Sequence, residues 1–138
     1  MKITIESHAL APIDAVWRAW NTPADIMAWN TPSPDWHTTK STVDLREGGA
    51  LLSRMEAKDG SFGFDFEGTY TRVVPNKTIE YAMTDGREVQ VVFTERGDGV
   101  DIRTTFDAEN ENSEEMQRDG WQAIQDNFVK HVEAKGAR

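Results

Sequence analysis

The sequence predicts an α+β fold in which a curved antiparallel sheet grips one long C-terminal helix. Two observations carry that prediction. Between Asn112 and Arg138, Met116, Gly120, Ile124, Phe128 and Val132 recur along one stripe at roughly 100° per residue, with Trp121 at its edge. Glu115, Asp119, Gln122, Asp126 and Glu133 fall on the other side. Such a helix needs an apolar cover. Upstream, from Trp36 to Phe106, the period changes, and short alternating runs follow one another across tight turns. Those runs are the only large supply of matching apolar surface, so the sheet must cover the helix.

Each element has its own signal. Lys2 to Ala9 alternates with Ile3 and Ile5 on one face, a first strand. Pro12 suits the first position of a helix, and Ile13, Val16, Trp17 and Trp20 follow at helical spacing. Thr22, Pro23 and Asp25 start a second short helix carrying Ile26, Met27 and Trp29. Both are too short to be stable alone and must pack on something. Asn30 to Pro34 ends them as a loop. Trp36 to Leu45 is a threonine-rich strand, closed by Glu47-Gly48-Gly49. Ala50 to Ala57 is the next, followed by an Asp-Gly hairpin turn over Lys58 to Ser61. Phe62, Phe64 and Phe66 then alternate with Gly63, Asp65 and Glu67 in a run that reaches Val74. Pro75-Asn76 turns the chain into Ile79, Tyr81 and Met83; Asp85-Gly86 turns it into Val89, Val91 and Phe93. Gly97-Asp98-Gly99 leads to the last strand, Val100, Ile102, Thr104 and Phe106. Tight turns make sequence neighbours spatial neighbours, which predicts a meander, with the helices segregated to one face. Asn112, three residues before Glu115, is expected to cap the final helix. Glu114 and Glu115 suit its dipole, and Gly136 is expected to stop it.

At 138 residues the chain is expected to be one domain, 1–138, burying about two-thirds of its unfolded surface. Its net charge is −9. With no basic stripe to neutralise phosphates, nucleic acid is not an expected partner, and anionic membrane surfaces are disfavoured. No run approaches the length of a membrane span, so no membrane insertion is expected. The absence of cysteine removes disulfides, thiol catalysis and thiolate metal sites. Met1 to Glu6 alternates where a signal peptide needs a continuous apolar run, and a cytoplasmic location is expected. His8, His37 and His131 are scattered, and no metal motif, phosphate loop, dinucleotide fingerprint or serine elbow occurs. Neither a metal nor a cofactor is expected.

If the face holding Phe62, Phe64, Phe66, Tyr81, Met83 and Phe93 turns toward the helix, the interior is aromatic. Such walls suit an apolar or aromatic ligand; the same residues can also fill a core. Gln117 and His131 fall inside the apolar arc of the helix, with Asn127 near its margin. Each either meets ligand or water in a cavity or lies where the stripe emerges into solvent. Gly120, in the helix interior, costs about 1 kcal/mol relative to alanine; close approach of another backbone, or a kink making room, would account for it. Arg54 shares a strand face with Glu56. Turned inward it anchors a carboxylate or phenolate; turned outward it joins a cross-strand ion pair. The candidate cavity residues are Trp36, Arg54, Phe64, Phe66, Tyr81, Met83, Phe93, Gln117, Trp121, Ile124 and Phe128. None is a catalytic candidate.

The segment PIDAVWRAW (Pro12 to Trp20), the second helix ending in Trp29, and Asp44 to Gly49 form a pattern with later pieces of the chain. Those are Asp59-Gly60 leading into FGFDFEGTYTRVVPNKTIEY (Phe62 to Tyr81), and Gly120-Trp121 inside the final helix. Together they resemble the SRPBCC superfamily, the helix-grip fold shared with START domains and the birch-pollen allergen Bet v 1. The likeness is strongest to the branch related to the heat-shock-protein-90 ATPase activator. The resemblance implies seven strands wrapped round the C-terminal helix, a cavity between them, and two short helices closing one end. It carries over no catalytic residue. It favours a small ligand-binding domain for an apolar or aromatic molecule. A chaperone protein as partner, with a place in stress response, is the alternative it implies. A third is a polyketide cyclase- or dehydratase-like enzyme with Gln117, Arg54 or Tyr81 orienting the substrate. The sequence is expected to depart from the eukaryotic activator in holding only the one domain, without a separate N-terminal partner-binding domain. A monomer or homodimer is expected.

Overall fold

A computed structural model describes residues 1–31 and 33–136. The elements run β1 (Lys2–Ala9), α1 (Ile13–Asn21), α2 (Pro23–Trp29), β2 (Trp36–Val43), β3 (Ala50–Ala57), β4 (Gly63–Val74), β5 (Thr78–Met83), β6 (Glu88–Arg96), β7 (Gly99–Asp107) and α3 (Glu114–Gly136). The predicted 30–34 loop includes Pro32, which lies outside the described residues, as do the last two residues assigned to the final helix. The strands form one seven-stranded sheet in the order β1-β7-β6-β5-β4-β3-β2, every pair antiparallel. Only β1 leaves the simple meander, pairing with β7 at the far end of the chain. With α3 lying across it, this is the helix-grip arrangement.

Register follows from the period-two pattern. Facing residues in an antiparallel pair share a sheet face. Phe64 faces Met55, Phe66 faces Ser53, and Tyr70 faces Tyr81. Val89 faces Phe106, and Phe93 faces Ile102. The aromatic face is therefore continuous with the one that buries Ile3, Ile5, Val91 and Phe106. Register slips at Thr38/Lys40 and at Tyr70/Arg72 insert an extra residue into the β2–β3 and β4–β5 ladders. Such bulges bend and twist strands.

At one end the core is dense. Phe128 and Val132 of α3 are fully buried among Val100, Ile102 and Phe106. The two short helices pack here too. The rings of Trp20 and Trp29 lie 4.8 and 5.1 Å from that of Phe128, and the Trp29 indole donates to the Ala19 carbonyl at 3.0 Å.

A polar seam completes the attachment. Asn127, His131 and Lys135 lie one turn apart along α3. Asn127 donates to the Thr31 carbonyl at 2.6 Å. His131 Nε2 lies 2.8 Å from Asp25 Oδ1, and Lys135 Nζ donates to the same oxygen at 2.6 Å. His131 and Asn127 thus meet α2 and the loop after it, neither lining a cavity nor simply emerging into solvent.

Several expectations are corrected. Ser113, not Asn112, caps α3: its Oγ accepts the Met116 amide at 3.1 Å, while Asn112 is bonded to the Glu109 carboxylate. Met116 is 63% exposed, and the buried line on α3 runs through Gln125, Phe128 and Val132. The apolar arc is rotated toward Gln125 because the sheet satisfies that side chain. Phe62 precedes β4 and is 61% exposed in the hairpin turn.

Candidate ligand cavity between sheet and helix

Away from the dense end, sheet and helix stand apart around a cavity of about 470 Å³. Met55, Phe66, Tyr70, Ile79, Tyr81 and Met83 line it from the sheet. Gly120, Trp121 and Ile124 line it from α3, and Trp20, Ile26 and Trp29 from the short helices. Trp121 is fixed in its wall by stacking on Phe106, 4.0 Å between centroids with planes 10° apart. Phe66 meets it edge-on at 6.1 Å, and Tyr81 continues the chain of rings at 6.2 Å from Phe66.

Gly120 adds to the open space on the helix side. A Cβ built on it would meet no atom within 4 Å. Close backbone approach, one of the two explanations open from the sequence, is therefore excluded; the missing side chain leaves volume beside the cavity.

Several polar groups at the cavity are bonded within the protein. Gln125 is 2% exposed; its Oε1 accepts from the Thr104 hydroxyl at 2.6 Å and its Nε2 donates to the Ile102 carbonyl at 3.1 Å. This bond pair ties α3 to β7 at the cavity floor. Gln125→Leu should lower stability by about 1–2 kcal/mol in chemical denaturation, because it leaves the buried Thr104 hydroxyl and Ile102 carbonyl without their partner. At the rim, Gln117 accepts from the Glu109 amide at 2.8 Å and donates to the Asn112 carbonyl at 2.9 Å. It staples the β7–α3 loop while lining the opening. Arg87 Nε is held by Asp85 at 2.7 Å.

Tyr70 and Tyr81 differ from these. Burial pushes the Tyr70 phenol up to about 12, with the nearby Asp44 charge adding to it. Burial pushes Tyr81 well above the ordinary phenol value, with Tyr70 adding to it. Both are neutral donors at physiological pH. Among the described residues neither hydroxyl is bonded to a protein group, and neither is sealed off: the one fully buried side-chain oxygen without a partner is Ser41 Oγ.

Of the residues singled out from the sequence, the structure brings Phe64, Phe66, Tyr81, Met83, Gln117, Trp121 and Ile124 to the cavity. Four lie elsewhere. Phe93 is core, 5.6 Å edge-on from both Trp17 and Trp20. Phe128 is buried beneath Trp20 and Trp29. Trp36 joins Phe62 and Phe64 in a half-exposed aromatic cluster, each ring about 6 Å from the next. Arg54 lies on the outer face, 3.1 Å from Glu56 and 3.4 Å from Asp65. Leu51, Ser53, Met55, Tyr70, Ile79 and Gln125 were not singled out. The first five were legible in principle, since each is in phase with an inward neighbour: Tyr70 with Phe66, Ile79 with Tyr81. Gln125 gave only its position, four residues after Trp121 and three before Phe128.

The model for activator of Hsp90 ATPase homolog 1-like proteins matches residues 10–133. The chain belongs to this family. It is similar over its whole length to the AHSA1-like protein of Aeromonas hydrophila, known by solution NMR. The two are 51% identical with a TM-score of 0.92, and the match covers 96% of that chain. A protein of Cytophaga hutchinsonii, also solved in solution, is 46% identical with a TM-score of 0.84, over 97% of this chain and 93% of that one. A crystal structure from Chromobacterium violaceum, 23% identical with a TM-score of 0.85 over 96% of each chain, shares the fold. No curated protein matches the chain. Among the described residues no helix is long and apolar enough to cross a membrane, and no three His, Asp or Glu side chains gather where they could hold a metal ion.

Proposed function

We propose that residues 1–138 act as one ligand-binding domain that holds an apolar or aromatic small molecule between the sheet and α3. The observation that carries this reading is Gly120. A glycine inside a 23-residue helix sacrifices about 1 kcal/mol of helix stability relative to alanine, and nothing packs against it. What the position provides is room in a cavity whose volume lies in the range of small-molecule sites. The aromatic walls supply apolar contact area, and the rings are held by one another rather than by a ligand.

The test is Gly120→Leu. Leucine improves helix propensity and places its side chain in the open volume, so the variant should melt at or above the wild-type temperature. Native mass spectrometry of the wild type should show an added mass that disappears on denaturation, and the variant should lose it. A variant that is as stable as wild type and carries the same added mass would refute the cavity as the binding site.

A second reading, a protein partner of the chaperone class, is favoured by the Trp36, Phe62 and Phe64 cluster. Phe62 is 61% and Phe64 39% exposed, and neighbouring exposed rings of this kind mark contact surfaces. If that reading holds, the protein stimulates a bacterial heat-shock-protein-90 ATPase; an unchanged rate at saturating protein would count against it. The proposed location for either role is the cytoplasm.

A further inference from the structure

We infer that the cavity selects uncharged ligands over anionic ones, and that Tyr70 and Tyr81 present their hydroxyls to an oxygen of the bound molecule. The inference rests on the ligand-binding reading above and adds the chemical class of the ligand: a largely apolar, neutral molecule bearing a carbonyl or similar acceptor.

The lining of the space disfavours a negative charge. Among the described residues Arg87 is the one basic side chain on the cavity wall, and Asp85 already holds it at 2.7 Å. Asp85 and Glu109 also line the space, and Asp44 lies close enough to Tyr70 to act on its phenol. Arg54, the other cation considered for this role, is paired with Glu56 and Asp65 on the outer face. A carboxylate entering this space would give up its hydration without gaining a counter-charge, the most unfavourable transfer available to a small ligand. The overall charge of −9 repels the same ligand during approach.

Tyr70 and Tyr81 supply the hydrogen-bond donors. They face each other across the β4–β5 pair, with ring centroids 6.3 Å apart. Tyr70 is 4% exposed. Gln125, Gln117 and Arg87 are each bonded within the protein. The phenols of buried Tyr70 and half-buried Tyr81, protonated and without a protein partner, line the cavity as donors free to bond its occupant. An acceptor oxygen on the ligand takes those bonds. Burial keeps both phenols protonated through the physiological range.

The experiment uses a matched pair of fluorescent probes. One is 6-propionyl-2-(dimethylamino)naphthalene, a neutral ketone whose emission moves to the red when its carbonyl accepts a hydrogen bond. The other is 6-(dimethylamino)-2-naphthoate, in which a carboxylate replaces the propionyl group. At pH 7 the wild-type protein should bind the ketone about tenfold more tightly than the carboxylate, or better, by fluorescence titration. The Tyr70→Phe/Tyr81→Phe double variant should remain folded, since neither hydroxyl is bonded in the protein. It should still bind the ketone, with emission displaced to the blue of the wild-type complex. Equal or tighter binding of the carboxylate would overturn the charge selection while leaving the ligand-binding reading in place. An unchanged emission maximum in the double variant would overturn the role given to the hydroxyls. Binding of neither probe would count against the binding reading itself, and this inference would fall with it.

Discussion

Replacing Phe128 with alanine should lower the stability of this protein by about 4 kcal/mol, measured by guanidinium or urea denaturation at constant pH. No other single truncation discussed is expected to do more. The ring is fully buried and meets Trp20 and Trp29 edge-on at 4.8 and 5.1 Å. Those two tryptophans lie 4.9 Å from each other and carry α1 and α2. Removing the ring leaves a void between three elements that close together on one side chain, and the surrounding backbone has little freedom to collapse into it. The size of the effect separates this end of the core from the cavity end. Ile124→Ala, on the wall of a space that already exists, should have a smaller effect, and a loss at Phe128 no larger than at Ile124 would contradict the division into filled and open halves.

The second large effect is expected at Asp25. Asp25→Ala should remove about 2 kcal/mol, because it strips the shared acceptor from both Lys135 and His131. The pH dependence gives the interaction a signature. Burial pushes the Asp25 carboxyl up, but hydrogen bonds from Lys135 and His131 pull it further down, so that the folded value lies below the ordinary one. The unfolded chain binds the proton more readily, at about pH 3.9. The stabilisation is therefore present above about pH 4 and is lost as the pH falls through the lower folded value. Asp107, held first by Lys2, and Asp101, held first by His8, are shifted the same way. The measurement is thus the difference between wild type and Asp25→Asn along the acid limb. That difference should shrink below pH 4; one that stays constant down to pH 2 would show that the carboxylate charge is not what holds α2 to α3.

The fold was legible because two periods dominate the chain. Alternation placed Phe64, Phe66, Tyr81 and Met83 on one face, and hairpin turns made that face continuous. The site was only partly legible, for reasons that differ by residue. Phe93 and Phe128 have the same chemistry as the cavity residues, and which of them border empty space depends on where the short helices dock. Nothing in a period encodes that. Gln125 was missed because a buried amide is indistinguishable from a surface one until its partners, Thr104 and the Ile102 carbonyl, are known. Asn127 and His131 were noticed as polar residues near an apolar stripe, but their partners Thr31 and Asp25 lie about a hundred residues away in sequence. Gly120 was the opposite case. Its oddity was visible in one dimension, and three dimensions supplied the reason.

The pairing of β1 with β7 also imposes an order on biogenesis. Lys2 finds its partner at Asp107, 105 residues later. During synthesis at about 5–20 residues per second, the first strand therefore waits roughly 5–20 s before its partner has been made. Until then Ile3 and Ile5 have no ladder to join, and the sheet that grows from β2 toward β6 is open at that side. The last helix emerges later still, yet it carries the residues that fill the core. This is a chain whose local hairpins form early and whose closure is a long-range event, the topology that folds slowly for its size. The segment most exposed to wrong partners in that interval is the one made first.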